Sequence, residues 1–247
     1  MNVASSVATG SYNLKVKAVS GSIDKEANLS LTVNSLLGST WIQLGSELNI
    51  SSSQDAESPR LALDASGNPV VAWRENVPGQ FGNIYVKRWD GVNWVPLGNE
   101  LDINPLQNAV KPSLALETSG NPVVAWTEWD GSSNNVYVKR WDGANWVALG
   151  NELDVNEPLP AGSPSLALDT SGRPVVAWSE NDGTSFNIYV KRWDGTSWLL
   201  QGSGLDTLLS QQAQYPKVAM DSLGYPVMVW EEQVGSAKRI YVKRRLP

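Results

Sequence analysis

The chain has 247 residues and contains neither cysteine nor histidine. Disulfides and thiolate metal sites are therefore excluded, and the commonest general base and transition-metal ligand is missing as well. Any catalysis would have to use carboxylates, tyrosine, lysine or hydroxyl groups. We predict no metal site and no cofactor.

The sequence also has no block of positive charge and no long apolar run. Its net charge is −6, so it lacks the basic face with which a protein gains from binding nucleic acid. The apolar runs are only a few residues long, which excludes a membrane span. We expect no signal peptide, because no charged stretch followed by an apolar stretch opens the chain. With 41% hydrophobic residues, the composition is that of a globular protein.

What the sequence does have is a repeat of about fifty residues. Residues 58–73 read SPRLALDASGNPVVAW, and 111–126 and 163–178 are near copies, while 215–230 has diverged to YPKVAMDSLGYPVMVW. A second element, IYVKRWDG or a close variant, follows each copy. A third, such as NWVPLG at 93–98, comes next in three of them. Such self-similarity is the signature of repeat architectures and propellers.

Each repeat predicts four short strands, which we label A to D. SLAL forms A, PVVAW with two further residues forms B, IYVKRW forms C and NWVALG forms D. Alternation of apolar and polar residues supports these strands. Ser-Gly-Asn-Pro at 66–69 suits the turn from A to B, and the Asp-Gly pairs suit the hairpin from C to D.

Four antiparallel strands per repeat predict an all-β fold, a four-bladed β-propeller of four-stranded antiparallel blades. The last repeat lacks its D strand, but TWIQLG at 40–45 carries the same motif. We therefore predict that an N-terminal strand, 40–45, closes the ring. Two alternatives stay open: a piece of a larger ring, or an array that closes through a second chain. The repeats lie near 58–98, 111–150, 163–202 and 215–247.

The N-terminal residues differ from the repeats. YNLKVKAV at 12–19 and ANLSLTV at 27–33 alternate cleanly, which predicts a β-hairpin. It resembles the last hairpin of a bacterial immunoglobulin-like domain. We therefore divide the chain into residues 1–36, an immunoglobulin-like terminal hairpin and linker, and residues 37–247, the propeller. Two strands alone are marginal in water, so we expect residues 10–34 to pack on the propeller or to mediate self-association.

Twelve tryptophans are the most conspicuous side chains. Those of strands B and C recur in the repeats and suit packing between blades. The D-strand tryptophans Trp94, Trp146 and Trp198 lie on outer strands and are candidates for sugar binding. Trp129 has no equivalent in the other repeats and follows strand B in a loop with Asp130. Because loops carry function, Trp129 and Asp130 are our first ligand-binding candidates.

A glutamate follows each B-strand tryptophan by two residues, and each C strand carries a Lys-Arg pair. A cross-strand ion pair in every blade is the simplest interpretation. Glu128, beside Trp129, is also a candidate for ligand binding. The linkers between repeats carry Asp102, Asp154 and Asp206 at equivalent places, which suits capping of the linker or a bound cation.

Two motifs resemble known propellers. LALDASGNPVVAW resembles the Asp-containing hairpins of bacterial sialidase-like secreted propellers, and VKRWDGVNWVPLG resembles the repeats of tachylectin-like propellers. The resemblance implies a secreted bacterial propeller and covers about residues 38–247. It does not carry over the arginine triad and the other unrepeated residues of a sialidase, because this sequence offers no such set.

We therefore predict a non-catalytic module that binds carbohydrate, or another cell-surface polymer, at the outside of a bacterial cell. Two alternatives stay open. One is a structural or adhesive subunit that assembles into a fibre or surface layer through the N-terminal hairpin. The other is an enzyme similar to glycoside hydrolases, for which the sequence alone does not place two carboxylates together.

Overall fold

The computed structural model describes residues 10–20, 23–33, 41–76, 81–201, 204–207 and 211–246. The chain divides into two compact units, Met1–Leu44 and Gly45–Pro247. The first contains an antiparallel hairpin of β1 (Gly10–Ser20) and β2 (Ile23–Val33). Its strands are longer than predicted. The side chains of its alternating apolar residues, at 12, 14, 16, 29, 31 and 33, lie outside what the structure describes.

The second unit consists of four antiparallel sheets, one per repeat. Blades 1, 2 and 3 have four strands and blade 4 has three. Blade 1 is β3 (Ala56–Leu63), β4 (Pro69–Asn76), β5 (Gly82–Trp89) and β6 (Trp94–Pro96). Blade 2 is β7 (Ala109–Leu116), β8 (Pro122–Trp129), β9 (Asn134–Trp141) and β10 (Trp146–Ala148). Blade 3 is β11 (Ala161–Leu168), β12 (Pro174–Asn181), β13 (Phe186–Trp193) and β14 (Trp198–Leu200), and blade 4 is β15 (Ala213–Met220), β16 (Pro226–Val234) and β17 (Ala237–Arg244).

The prediction of an all-β propeller with four antiparallel blades is confirmed. The strands A, B, C and D follow one another within each sheet as the repeat predicts. Strands β3, β7, β11 and β15 are the innermost strands, and neighbouring blades meet along them. No helix in the described part of the chain could cross a membrane.

The predicted closing strand is not formed. Residues 41–45 are in no strand, residue 40 lies outside the described residues, and the only described strand that pairs with β17 is β16. In the other blades an Asp-Gly turn delivers strand D directly to strand C. In blade 4 the corresponding segment precedes all the repeats in the sequence, so no short turn holds it beside strand C.

Apolar packing between successive blades forms the core. Val70, Ala72, Ile84 and Val86 of blade 1 pack against Trp126 and its neighbours in blade 2, and the same contact recurs from blade 2 to 3 and from 3 to 4. The two terminal faces lack such a cover. Leu61 of blade 1 is 65% exposed, and Ile240 of blade 4 is also 65% exposed, although its equivalent Ile84 is fully buried. The described ring is therefore open between blades 4 and 1.

Candidate functional site

The repeated glutamates hold the linkers between blades. Glu128 is 1% exposed and accepts hydrogen bonds from Trp126 Nε1 at 2.7 Å and from the backbone N–H groups of Ile103 (2.9 Å) and Asn104 (2.7 Å). The other blades repeat the arrangement with Glu75, Glu180 and Glu232. The predicted ligand-binding role of Glu128 would require these bonds to break.

Among the described residues of blades 1 to 3, the predicted cross-strand ion pair is not formed. Opposite Glu128 in the register lies Asn135 rather than a basic residue. The lysine of strand C, Lys139, instead donates to the backbone carbonyl of Asp102 at 3.0 Å and lies 5.7 Å from the ring centre of Trp126. Burial lowers the pKa of Lys139. Lys139 therefore contacts both the linker and Trp126, the tryptophan that also bonds to Glu128.

The D-strand tryptophans are half-buried and pack at the junctions between blades. Trp146 meets Trp141 edge-on, with ring centres 5.4 Å apart, and its Nε1 donates to the backbone carbonyl of Leu97 at 2.6 Å. Trp198 makes the equivalent contacts, and Trp94 packs in the same way on Trp89. These contacts give all three a structural role, and their binding of sugar stays a prediction.

The prediction that Trp129 lies in a loop is wrong: it is the last residue of β8 and pairs with Asn134, and Asp130 begins the turn to β9. Asp130 accepts hydrogen bonds from Ser132 N–H (2.6 Å), Ser133 N–H (2.9 Å) and the Asn135 side chain (2.9 Å), and the backbone bond from Ser133 leads in lowering its pKa to about 2. Asp182 holds the turn of blade 3 in the same way. Asp130 is thus occupied by its own turn, whereas Trp129 is 38% exposed.

Of the linker aspartates, Asp102 is buried, and Asp154 and Asp206 are half-buried. Burial is the main cause that raises the pKa of Asp154 to about 8 and that of Asp102 to about 6. Asp154 Oδ1 accepts a hydrogen bond from Val136 N–H at 3.0 Å, and its buried Oδ2 has no hydrogen-bond partner among the described residues. Within the described ranges no group of three or more acidic side chains could hold a metal ion. The capping role predicted for these residues fits this geometry.

A β-bulge interrupts each innermost strand and places one residue in the left-handed region. Register shifts lie between Glu57 and Arg60 in blade 1 and at the equivalent positions elsewhere. The left-handed residues have φ of 55–56° and are Ser58, Lys111, Ser163 and Tyr215. For residues other than glycine this conformation is strained and is often found at functional sites. A proline follows each of the four, so the backbone repeats although the side chains differ.

The bulges surround a cavity at the centre of the ring. Its volume is about 210 Å³. The lining comes from all four innermost strands and consists of Arg60, Lys111, Ser163, Pro164, Tyr215, Pro216 and Lys217. A second cavity of about 180 Å³ shares Lys111, Ser163 and Tyr215 with it. Each alone is smaller than the ~300–1,000 Å³ of typical ligand pockets, and together they lie near the lower end of that range. We call the two the axial cavity.

Two glutamates occupy repeat positions whose equivalents line the axial cavity. Glu57 on β3 is the blade 1 equivalent of Val110, Gly162 and Gln214, which line the cavity in the other blades. Its side chain forms an ion pair with Arg74. Glu231 on β16 is the blade 4 equivalent of Thr127 and Ser179, which line the cavity in blades 2 and 3. Its Oε2 lies 2.9 Å from Lys238 Nζ.

These two positions touch between successive blades. In blades 2 and 3, Thr127 Oγ1 accepts a hydrogen bond from Ser163 N–H at 3.2 Å, and a Cβ added to Gly162 would lie 3.1 Å from that oxygen. Glu231 of blade 4 and Glu57 of blade 1 hold the corresponding positions. The sequence could have indicated this site, because these positions differ from one repeat to the next while most of their neighbours are the same.

Comparison with known proteins identifies solved structures of similar fold. No family model matches the sequence, and a search of curated proteins finds no match. Among solved structures, an endo-arabinase from Bacteroides thetaiotaomicron matches with a TM-score of 0.53 and 12% identity over 82% of this chain and 79% of its own. An α-L-arabinanase from Penicillium chrysogenum, complexed with arabinobiose, gives 0.57 and 15% over 78% and 62%. The sialidase of Trypanosoma rangeli gives 0.52 and 11% over 95% and 38%.

At such identities the likeness shows a shared propeller fold. It nevertheless corrects the prediction of a non-catalytic carbohydrate-binding module, because these propellers are glycan-cleaving enzymes: an endo-arabinase, an arabinanase and a sialidase. The sequence prediction failed because it weighed the repeated residues, which are structural. The unrepeated charged residues that the bulges bring together lie far apart in the sequence.

Proposed function

We propose that this protein is a glycan-cleaving enzyme that holds its substrate in the axial cavity. The observation that carries the proposal is the convergence there of unrepeated side chains from all four blades. Scaffold positions repeat, so unrepeated side chains that the bulges gather at one cavity mark a part of the molecule that acts on a ligand. Propellers of similar fold have been solved with arabinobiose and with sialic acid bound, which supports a glycan as the substrate.

We propose Glu57 and Glu231 as the pair of carboxyl groups. Most glycoside hydrolases place two such groups about 5–10 Å apart: one protonates the leaving oxygen, and the other attacks the sugar or activates water. The equivalents of these two positions touch between blades 2 and 3. The described ring is open at this seam, and packing of blade 4 on blade 1 in the way that blade 2 packs on blade 3 would present the glutamates to a sugar between them, with Arg74 and Lys238 fixing their side chains.

The test is a pair of substitutions, Glu57→Gln and Glu231→Gln, assayed by the release of reducing ends from a panel of neutral and acidic polysaccharides. Each should lower kcat by about 10²-fold or more, since general acid–base catalysis contributes about 10²–10⁴-fold. Glu152→Gln removes an exposed carboxylate elsewhere and should keep full activity. Full activity in both active-site variants would overturn the assignment of the pair. A wild-type protein that releases no reducing ends from any polysaccharide would overturn the function.

We further propose that the protein acts outside the cell, where polymeric glycans occur, and that the hairpin of residues 10–33 is the end of an immunoglobulin-like domain that mediates self-association. The hairpin pairs Leu14 with Leu29 and Tyr12 with Leu31, which places its apolar residues opposite one another. Sedimentation of the full chain and of Leu14→Asp tests this. The wild type should associate and the variant should not, and a monomeric wild type would refute it.

A further inference from the structure

We propose that the axial cavity selects an anionic sugar unit, one that carries a carboxylate or a sulfate. This inference rests on the proposed function, because it specifies the substrate of the same site. Three cations line the 210 Å³ part of the cavity: Arg60 from blade 1, Lys111 from blade 2 and Lys217 from blade 4. No acidic residue is among the described residues that line it.

These cations are peculiar to the cavity rather than part of the repeat. At the repeat position of Arg60 and Lys217, blades 2 and 3 carry serines, Ser113 and Ser165. Each serine hydroxyl accepts a hydrogen bond of 3.0 Å from a backbone N–H group of the next blade. A neutral residue therefore satisfies the fold at this position. Arginine and lysine at the other two sites add charge that the scaffold does not require.

The three like charges of the cluster are electrostatically unfavourable to one another. Arg60 and Lys217 repel one another across the cavity, and burial together with this repulsion lowers the pKa of Lys217. Lys111 donates to the uncharged hydroxyl of Ser163 at 3.1 Å. An anion would reverse these costs, and a guanidinium can bind a carboxylate or sulfate through two parallel hydrogen bonds. In a chain with a net charge of −6, this local concentration of positive charge points to a negatively charged ligand.

The cavity fits one small anionic group better than an extended polyanion. Its wall also includes Tyr215 and the rings of Pro164 and Pro216, which offer apolar surface to the faces of a sugar ring. A nucleic acid would need a basic surface that follows many phosphates, and the acidic balance of the chain opposes that. The recognised unit is therefore a sugar with one acidic substituent at the cavity.

The test measures binding by calorimetry on the full chain carrying Glu57→Gln, which slows turnover during the titration. The probes are oligogalacturonate, a sulfated galactan oligomer and a neutral arabino-oligosaccharide of the same length. We expect at least one acidic probe to bind ten-fold or more tightly than the neutral one. Comparison of the two acidic probes tells whether carboxylate or sulfate is preferred.

The variants Arg60→Gln and Lys217→Gln should each weaken that binding by ten-fold or more, while Arg60→Lys retains part of it. Arg239→Gln, which removes an exposed cation of β17, should change nothing. Equal affinity for acidic and neutral probes, or binding unaffected by either glutamine variant, would overturn the inference. Cleavage of neutral glycans with such a result would leave the proposed function standing. Selective acidic binding without cleavage of any polysaccharide would overturn the function and leave the anion site.

Discussion

The indole N–H of Trp126 donates a hydrogen bond of 2.7 Å to Glu128, two residues further along the same strand, and both side chains are buried. Two residues apart, they lie on the same face of β8. The glutamate reaches past the ring to the backbone of the linker. Each blade repeats this unit. A carboxylate beside an aromatic ring resembles a catalytic or sugar-binding motif, but here it connects the blade to the linker from the preceding blade.

Replacement of Glu128 by Ala should therefore destabilise the fold. It removes the acceptor of one indole N–H and of the two linker N–H groups of Ile103 and Asn104 and leaves buried donors without a partner. Hydrogen bonds to a charged group contribute about 1.5–3 kcal/mol, so we expect the free energy of unfolding to fall by about 3 kcal/mol. Urea denaturation followed by tryptophan fluorescence measures it.

Glu152→Gln is the matched control for stability, because Glu152 is exposed. It should stay within about 0.5 kcal/mol of the wild type. A stable Glu128→Ala protein that has lost glycan cleavage would contradict the structural role and return Glu128 to the list of functional residues.

Trp146 and Trp129 should respond differently to replacement by Ala. Trp146 packs on Trp141 and bonds to Leu97, so its loss should cost about 3–5 kcal/mol of stability. Trp129 is partly exposed, and its cross-strand partner Asn134 lines the axial cavity. We expect Trp129→Ala to raise KM several-fold with little change in kcat and less than about 1 kcal/mol of stability lost.

Steady-state kinetics and denaturation of both variants check this difference. Trp129→Ala with unchanged KM for every cleaved glycan would remove Trp129 from the binding surface. A Trp146→Ala protein as stable as the wild type, with weakened glycan binding, would show that the D-strand tryptophans serve the ligand rather than the blades.

Asp154 should make stability depend on pH. Its pKa is raised to about 8 in the folded protein, chiefly by burial, against about 3.9 in an unfolded chain. The folded state therefore holds this proton more tightly. The resulting contribution to stability is complete below pH 4 and is lost as the pH rises through 8.

Asp154→Asn removes the ionisation and keeps an oxygen for Val136 N–H. One unit of pKa corresponds to about 1.4 kcal/mol, so the variant should exceed the wild type in unfolding free energy by about 1 kcal/mol or more at pH 8, relative to their difference at pH 4. Asp130→Asn is the control of opposite sign, because the folded-state pKa of Asp130 is about 2. Its stabilising contribution is present above pH 4 and is lost as the pH falls towards 2. A difference between Asp154→Asn and the wild type that is independent of pH would refute the prediction.

The fold followed from the sequence because the repeat carries it: alternation in each strand, Asp-Gly turns and apolar residues recur at the same places. The site did not follow, for a physical reason. Arg60, Lys111 and Lys217 belong to different repeats, and only the bulges and the ring bring them to one cavity. Trp129 is recognisable in the sequence as an unrepeated aromatic residue. The unrepeated charged residues of the innermost strands lie within or beside strongly repeated motifs, and their sequence gives no sign that they meet.

The open faces of blades 1 and 4 give a last prediction, because matched isoleucines on strand C report whether they are covered in solution. Ile84 is fully buried against blade 2, whereas Ile240, its equivalent in blade 4, is 65% exposed. Ile84→Ala should cost about 2–4 kcal/mol of unfolding free energy, and Ile240→Ala less than about 0.5 kcal/mol. Urea denaturation of both variants at several protein concentrations measures the difference. A cost for Ile240→Ala equal to that for Ile84→Ala would mean that the face is covered. If that cost fell on dilution, a second copy would supply the cover, and if it did not, blade 1 of the same chain would.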